Sequence, residues 1–435
     1  NVTTTVLWTN IINKKLFSNV SAIYSKYSFD TSVESSEKIT NYGVVSAKYV
    51  KGQYFSGIRD YAIKFDLEYL PGPGHDVRFG AQAVDHLFSP GVLNYSATEE
   101  SDTTLGSKDT RTFEFLTYIE DDFLITPALK VNFGLHASAL SVQGKFYKSL
   151  QPRISARYLI NPKLSFKASY AQMTQFIHLL SNVGIGLPTD LWVPATPKAG
   201  PEHSYLTSLG ASYNLNNKYE FTLEGYYKGM KGLIEYKDGA SYLNIDSDWQ
   251  SKVEIGKGAS YGVEWFAQKK VGRLSGWVGY TLSWTNRTFE NLNGGKTFPY
   301  RYDRRHDLKV AAIYQMKKDK AFSLTWVYGT GAAVTLPQST YQANVVARPY
   351  TNIPVISYYG ERNSYRMRAY HRLDLNYTIT KTKKWGESSW SFGVYNAYSR
   401  RNPFFIDIDE SMDGKQFHQY SLFPIIPSVA YRFKF

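Results

Sequence analysis

The chain has 435 residues, a formal net charge of +13 and no cysteine, so disulfide frameworks, thiolate nucleophiles and cysteine-based metal sites are excluded. Lys and Arg are spread along the whole sequence, which argues against nucleic acid as a partner and fits an anionic membrane surface or an acidic ligand. No apolar run of about 18 residues occurs, so no transmembrane helix is predicted.

Segments in which apolar and polar residues alternate recur from one end of the chain to the other, and this period predicts β-strands. In Tyr61–Tyr69 one face carries Tyr, Ile, Phe, Leu and Tyr, while the opposite face carries Lys64, Asp66 and Glu68. No convincing long amphipathic helix occurs. The predicted strands, about 17 in number, are 2–11, 16–28, 59–70, 76–88, 111–123, 129–142, 150–160, 164–174, 205–215, 219–236, 258–271, 274–286, 306–316, 321–331, 366–379, 388–398 and 423–435.

Two kinds of connection join these strands. Short turns rich in Asn, Gly, Pro and Lys, such as Pro71–Gly74 and Asn216–Lys218, carry residues typical of tight turns. Most of the other connections are long stretches without a period, and we predict irregular loops at 29–57, 89–110, 175–204, 237–257, 287–305, 332–365 and 399–422. The chain therefore alternates strand, tight turn, strand and long loop.

Two all-β architectures compete for this order of elements. In a soluble sandwich or propeller the apolar strand face packs on another sheet, and repeated loops of about 20 residues are unusual. In an outer-membrane barrel the apolar face meets lipid, the other face lines a polar lumen, and short turns alternate with long loops. A dry core could not hold charges such as Lys64, Asp66, Arg153 and Arg157. We therefore predict an all-β fold, a transmembrane antiparallel β-barrel.

The last predicted strand, 423–435, stands alone after a long loop, so the strand number is odd. Single-chain bacterial barrels have an even number of strands, and an open edge in lipid would leave backbone groups unpaired. We therefore expect these residues to be the C-terminal part of a longer chain, with the C-terminus in the periplasm. Tyr431, Phe433 and Phe435 match the terminal signal read by the barrel assembly machinery; the alternative is an ordinary last strand.

Five stretches resemble TonB-dependent outer-membrane receptors. They are FPYRYDRRHDLKV (298–310), FGVYNAYSRRNPFFI (392–406), SLFPIIPSVAYRFKF (421–435) and residues 165–196 and 261–289. The resemblance implies a barrel of about 22 strands with an N-terminal plug, located in the outer membrane of a Gram-negative bacterium. It also implies a TonB box that engages a TonB-type energy-coupling protein. The sequence shows neither plug nor TonB box, so we expect residues 1–435 to form a single barrel domain holding the later strands.

The best candidate ligand contacts lie in the stretch 175–204. Aromatic side chains with a few polar groups can hold a sugar, a peptide or a metal chelate. The alternative is a loop that packs on the barrel wall or on the plug. The candidate residues are His178, Asn182, Thr189, Asp190 and Trp192.

Two charged clusters are further candidates. The first could bind lipopolysaccharide phosphates or an anionic ligand through its arginines, or form a structural ion-pair network, which is the interpretation we favour. It comprises Asp303, Arg304, Arg305, His306 and Asp307. The second offers carboxylates of the kind that calcium binds, but its spacing does not match an EF-hand, and we favour an acidic solvated loop. It comprises Asp407, Asp409, Glu410 and Asp413.

Binding and transport are the expected activities, because no arrangement typical of an enzyme, a cofactor site or a phosphate-binding loop stands out. The resemblance implies energised, TonB-coupled uptake of a scarce ligand. The alternatives are a passive porin-like channel and a structural or docking barrel in a larger outer-membrane assembly, which a surface lipoprotein partner would favour. Outer-membrane lipids and lipopolysaccharide are expected to contact the barrel.

Overall fold

The computed structural model describes residues 1–41, 44–97, 100–106, 109–180, 191–240, 248–342, 355–384, 386–411 and 414–435. β-Strands dominate these residues, and their helical content is two short 3-10 turns at Trp249–Lys252 and Asn293–Gly295. None of the helices in the described ranges is long and apolar enough to cross a membrane. The fold is therefore all-β, as the sequence predicts.

The strands are named in chain order. The first thirteen are β1 (Val2–Asn13), β2 (Leu16–Asn41), β3 (Val44–Gly72), β4 (His75–Ala97), β5 (Glu100–Gly106), β6 (Thr110–Thr126), β7 (Leu129–Val142), β8 (Lys145–Asn161), β9 (Leu164–Gln175), β10 (Ile177–Leu180), β11 (Leu191–Pro194), β12 (Glu202–Leu215) and β13 (Tyr219–Tyr236). The others are β14 (Val253–Lys269), β15 (Leu274–Phe289), β16 (Phe298–Pro299), β17 (His306–Lys317), β18 (Lys320–Gly329), β19 (Ala333–Val334), β20 (Pro337–Gln342), β21 (Val355–Tyr359), β22 (Tyr365–Arg366), β23 (Tyr370–Lys383), β24 (Gly386–Tyr395), β25 (Pro403–Ser411), β26 (Gly414–Ser421) and β27 (Ile426–Lys434).

Every strand predicted from the sequence corresponds to an observed strand, but several predicted loops are wrong. β2 and β3 pair in unbroken register from Leu16 opposite Tyr69 to Asn41 opposite Val44, which includes most of the predicted loop 29–57. At the far ends of such hairpins neither face of the strands has to be apolar. The alternation of apolar and polar residues therefore weakens there, while the backbone hydrogen bonds between the strands continue. Hairpins likewise occupy parts of the predicted loops 332–365 and 399–422.

Residues 1–156, 169–206 and 230–257 form one compact unit. Within it β1, β2, β3, β4, β6 and β7 pair antiparallel, each with the next strand in that order. Regular pairing with a fixed register keeps each side chain on one face of the sheet along the whole strand. The two faces can therefore have different chemistry.

The two faces of these strands do differ. On one face large apolar side chains are exposed, including Tyr61 at 53% and Ile63 at 65%. On the other face charged side chains pair across strands: the two ring nitrogens of His86 lie 2.8 Å from Asp60 and 3.2 Å from Glu114. An exposed apolar face opposite a face of paired charges is the pattern of strands that have lipid on one side and water on the other.

A hydrophobic core in the same unit packs β10 and β11 against the ends of β13 and β14. Its buried residues are Leu180, Leu191, Val193, Ala199, Ile234, Tyr236, Trp249 and Val253. A smaller cluster lies beside β7 and comprises Leu140, Val142, Phe176 and Ala195. This unit thus contains a packed core of ordinary apolar side chains in addition to its two-faced strands, and that core supports the β10–β11 hairpin.

Residues 157–168, 207–229 and 258–435 form the second compact unit. Within it β15, β17, β18, β23, β24 and β27 pair antiparallel in that order. Large apolar side chains are again exposed at alternate positions, as Trp390 and Phe392 on β24 illustrate at 49% and 46%. The second unit therefore repeats the exposed apolar face of the first.

Candidate ligand-binding and charge-cluster sites

The hairpin of β10 and β11 carries the described part of the predicted ligand region. Its strands pair so that His178 lies opposite Val193 and Leu179 lies opposite Trp192. The His178 side chain is completely buried, and its Nδ1 lies 2.9 Å from Oε1 of Glu202. The other ring nitrogen, Nε2, has no hydrogen-bond partner among the described residues. His178 therefore anchors the hairpin to β12 from within the core.

Trp192 lies on the opposite face of this hairpin. Adjacent strand residues point to opposite sides, so Trp192 shares its face with Leu179 and not with His178. It is half-buried, whereas His178 is fully buried. The structure thus separates two of the predicted contacts and leaves Trp192 as the more accessible one. Asn182, Thr189 and Asp190 lie outside the described residues.

Side-chain hydrogen bonds hold the base of the hairpin. The Tyr147 hydroxyl donates to the carbonyl oxygen of Thr196 at 2.8 Å, and the Thr196 hydroxyl donates to Oε1 of Gln250 at 2.6 Å. The backbone N–H of Thr174 in β9 donates to Oε1 of Gln151 in β8 at 3.1 Å. A surface aromatic presented from such a fixed base loses little conformational freedom when it binds a ligand.

The first charge cluster has Asp303 at its centre. Its side chain is completely buried. Oδ1 accepts the backbone N–H of Thr285 at 2.6 Å, and Oδ2 contacts the guanidinium groups of Arg366 and, at 3.6 Å, Arg305. These partners contact both oxygens of the carboxylate. Asp303 therefore joins three segments of the unit instead of facing a ligand.

The other members of this cluster also contact protein groups, and these contacts favour the structural interpretation. The contacts are Arg304 Cζ at 5.9 Å from the Tyr370 ring centre, Arg305 Cζ at 4.6 Å from the Trp284 ring centre, His306 Nδ1 at 2.8 Å from the Tyr280 hydroxyl, and Asp307 at 3.0 Å from Lys309. In such cation–π contacts the flat face of the guanidinium group lies on the aromatic ring, and the edge of the group can still donate hydrogen bonds.

The acidic cluster lies in a hairpin and not in the predicted solvated loop. Asp407, Asp409 and Glu410 are strand residues of β25, and the register places Asp407 opposite His418 of β26. Asp413 lies outside the described residues. In the part of the chain that the structure describes, no group of three or more His, Asp or Glu side chains could hold a metal ion. Calcium binding by this cluster stays a prediction from the sequence.

Asn396 holds a turn directly after β24, where the predicted strand 388–398 is three residues too long. This residue is buried and has a positive φ of 52°, a conformation that Asn tolerates better than most residues. Its Nδ2 donates to the carbonyl oxygens of Arg400 at 2.9 Å and Phe423 at 3.1 Å. The FGVYNAYSRRNPFFI stretch thus includes a turn residue, and an Asn directly after an alternating strand is the signal that could have indicated it.

The three C-terminal aromatic side chains project from one side of β27. Tyr431 lies opposite Trp390, with ring centres 4.8 Å apart, and the rings of Phe433 and Phe435 lie 5.7 Å apart. Phe435 is 96% exposed. The alternation read from the sequence is therefore present as an exposed aromatic row.

Comparisons with known proteins agree with this fold. Residues 3–397 match the family model described as TonB dependent receptor-like, beta-barrel. No curated protein sequence matches the chain significantly. The family match covers both compact units except for the last strands of the second.

Several solved receptor structures resemble the chain. The ferric-catecholate import receptor Fiu from Escherichia coli has a TM-score of 0.63 at 13% identity, over 99% of this chain and 64% of Fiu. BauA, the ferric preacinetobactin receptor of Acinetobacter baumannii, has a TM-score of 0.59 at 9% identity, over 99% and 62%. FyuA, the ferric yersiniabactin uptake receptor of Yersinia pestis, has a TM-score of 0.59 at 14% identity, over 97% and 62%.

The chain therefore spans less than two thirds of each of these structures. At such low identity the likeness concerns the fold, which is that of an outer-membrane β-barrel with antiparallel strands. The exposed apolar strand face and the paired charges on the opposite face fit that fold. Because the family model covers most of the sequence, the chain belongs to the TonB-dependent receptor β-barrel family.

Proposed function

We propose that the chain is the barrel portion of an outer-membrane receptor that takes up a scarce ligand with energy delivered by a TonB-type protein. The family match over residues 3–397 carries this proposal. The exposed apolar face suits lipid, and the charged face suits a water-filled lumen. We further propose that residues 1–435 form one barrel domain, completed by earlier strands and a plug of the same chain, with the C-terminus in the periplasm.

A ferric chelate is the first ligand class to test, because Fiu, BauA and FyuA are described as receptors for ferric-catecholate, ferric preacinetobactin and ferric yersiniabactin. In our proposal the stretch 175–204 supplies part of the binding surface. Trp192 offers an aromatic face, and Asn182, Thr189 and Asp190 offer polar groups that can fix the orientation of a ligand. His178 holds the hairpin in place through Glu202 and does not itself contact the ligand.

Further partners follow from the exposed parts of the second unit. The row that ends at Phe435 would be read by the barrel assembly machinery, and lipopolysaccharide would surround the outer strand ends. The hairpin of β25 and β26 exposes Phe417 at 49% and Tyr420 at 47%, which suits a surface lipoprotein partner. A solved FpvAI–pyocin complex is an example of a related barrel with a protein partner.

Uptake of radioactive iron by cells that produce the native protein tests the proposal. Cells supplied with ferric catecholate or ferric carboxylate chelates are expected to accumulate iron only when the inner membrane is energised. A protonophore, or deletion of the TonB-type protein, should reduce accumulation to the level of cells without the receptor. Accumulation that persists without the proton gradient would identify a passive channel. A stoichiometric lipoprotein complex without chelate uptake would identify a docking barrel.

Replacing Trp192 by Ala is expected to weaken chelate binding about tenfold, because an accessible aromatic on a rigid base is the kind of residue that dominates binding energy. Equilibrium binding of the radioactive chelate to outer-membrane preparations measures the effect. Tyr358→Ala is the matched control, since Tyr358 is an exposed aromatic, 55% accessible, on a different hairpin. Equal affinities for the two variants would remove Trp192 from the binding surface.

Deletion of Phe435 is expected to lower the amount of receptor in the outer membrane severalfold, because the assembly machinery would lose the last aromatic of its signal. Quantitative immunoblots of purified outer membranes measure this amount. Phe435→Tyr keeps an aromatic ring at the position and should restore the level. Unchanged assembly after the deletion would mean that β27 is an ordinary final strand.

A further inference from the structure

A groove of about 260 Å³ lies in the second unit, on β13, β14, β15 and β17. Tyr219, Phe221 and Leu274 border the groove and are 37%, 37% and 49% exposed. Small residues form its floor, where Gly276 lies opposite Ala312 in the strand register. The groove is therefore a depression among large exposed apolar side chains.

The depression is built into the strand pairing. A Cβ atom on Gly276 would meet the backbone carbonyl oxygen of Ala311, so this position favours glycine. Val278 and Val310, which also face each other in the register, extend the apolar wall along the strands. Since side chains alternate between faces, Leu274, Gly276 and Val278 lie on the same side, which is the exposed apolar side that meets lipid in a membrane barrel.

Beside the groove, three short turns carry a cluster of cations. The turns are neighbours, because the Lys270 N–H donates to the Lys218 carbonyl oxygen at 2.8 Å and the Gln315 N–H donates to the Arg273 carbonyl oxygen at 2.7 Å. Lys270 pairs with Glu220 at 2.6 Å. The other cations of these turns form no ion pair with a described carboxylate. They are Lys218, Lys269, Arg273, Lys317, Lys318 and Lys320.

We propose that this groove binds an anionic glycerophospholipid, with one acyl chain against the apolar floor and the phosphate among the cations of the turns. Lys269 is the link between the two parts, because it lines the groove and lies next to the turn 270–273. The charge of the turns complements an anionic headgroup, and the groove supplies apolar area for the chain. The inference goes beyond ligand uptake and rests on the membrane-spanning fold.

The position of the cations favours a phospholipid over lipopolysaccharide as the ligand of this groove. Short turns of outer-membrane barrels face the periplasm, whereas the long loops face outward. The cluster therefore lies beside the inner leaflet, and a diacyl phospholipid with one net negative charge fits a single groove next to a spread of cations. Lipopolysaccharide, with its several acyl chains, would have to reach this groove from the other end of the strands.

Native mass spectrometry of the native chain, released from detergent, tests the site with dioleoyl phosphatidylglycerol as the probe. We expect saturable retention of this lipid and little retention of dioleoyl phosphatidylcholine. Lys269→Gln should weaken retention about fivefold, and Lys269→Gln with Arg273→Gln about 25-fold, since each basic residue near an anionic headgroup contributes a factor of about five. Ala267→Trp should block the groove and abolish saturable retention.

Matched controls are Lys14→Gln, in the turn between β1 and β2, and Ala81→Trp, on the apolar face of β4. Both are expected to retain phosphatidylglycerol as the wild type does. Heat-modifiable migration in gels shows whether each variant is folded. Equal retention by Lys269→Gln/Arg273→Gln and Lys14→Gln would overturn the proposal, as would equal retention of the two probe lipids. Displacement of phosphatidylglycerol by an equimolar amount of lipid A would assign the groove to lipopolysaccharide and also overturn it.

Discussion

Asp303→Asn is expected to lower the free energy of unfolding by about 3 kcal/mol, because the variant removes one charge from a buried ion-pair network. The Asp303 side chain is completely buried, whereas its partners Arg366 and Arg305 are 28% and 32% exposed. Water can therefore reach the guanidinium groups, which places the expected loss at the lower end of the range for buried pairs. Asn keeps the side-chain volume, and its Oδ1 can still accept the Thr285 N–H. Its Nδ2 would face the guanidinium groups without accepting from them, so the expected loss includes these contacts as well as the charge.

Urea unfolding of the protein in lipid vesicles, followed by tryptophan fluorescence, measures this loss. Asp307→Asn is the matched control, since it belongs to the same charge cluster but pairs with Lys309, which is 54% exposed. An exposed pair contributes about 1 kcal/mol or less. If the two variants unfold at the same urea concentration, Asp303 does not organise the cluster, and its arginines regain interest as a site for an anionic ligand.

The difference between these two carboxylates could not be read from the sequence. Asp303 and Asp307 lie in the same run of charged residues, and each has basic neighbours along the chain. The main partner of Asp303 is Arg366, 63 residues away, at the very start of the predicted strand 366–379. Pairings of this kind depend on which distant segments meet in space, and the local sequence pattern does not indicate those contacts.

Strand positions were predictable because their cause is local. A strand between lipid and water must alternate apolar and polar side chains, and that alternation is visible in segments such as Tyr61–Tyr69. Strand ends were less predictable because residues beyond the apolar interior of the membrane no longer have to alternate between apolar and polar. The far ends of β2 and β3, up to the pair Asn41 and Val44, are held by backbone hydrogen bonds, which leave almost no trace in side-chain chemistry.

The candidate ligand region shows the same contrast. His178 and Trp192 were grouped because both lie in one stretch rich in aromatic and polar residues. The hairpin register places them on opposite faces, so one belongs to the core and the other to the surface. A single-residue change of register would reverse these roles. The composition of a loop can therefore indicate a binding region, but it cannot divide that region into contacts and supports.

Phe65→Arg is expected to cost about 2–4 kcal/mol of folding free energy in a bilayer beyond the cost of Phe65→Ala, because an arginine on the lipid face near the midplane is strongly unfavourable. Phe65 lies midway between Tyr61 and Tyr69 on the exposed apolar face of β3 and is 41% exposed. The comparison with Ala removes the contribution of the lost aromatic ring. Reversible folding into dilauroyl phosphatidylcholine vesicles measures the difference.

Gln82→Arg is the matched control for the opposite face. Gln82 pairs with Lys64 in the register of β3 and β4, so the new arginine would lie on the face that carries charges and would cost about 1 kcal/mol or less against a nearby cation. A large penalty for Phe65→Arg with a small one for Gln82→Arg requires lipid on one side of these strands and water on the other. Equal penalties would mean that neither face meets lipid, and the uptake mechanism would lose its membrane-spanning wall.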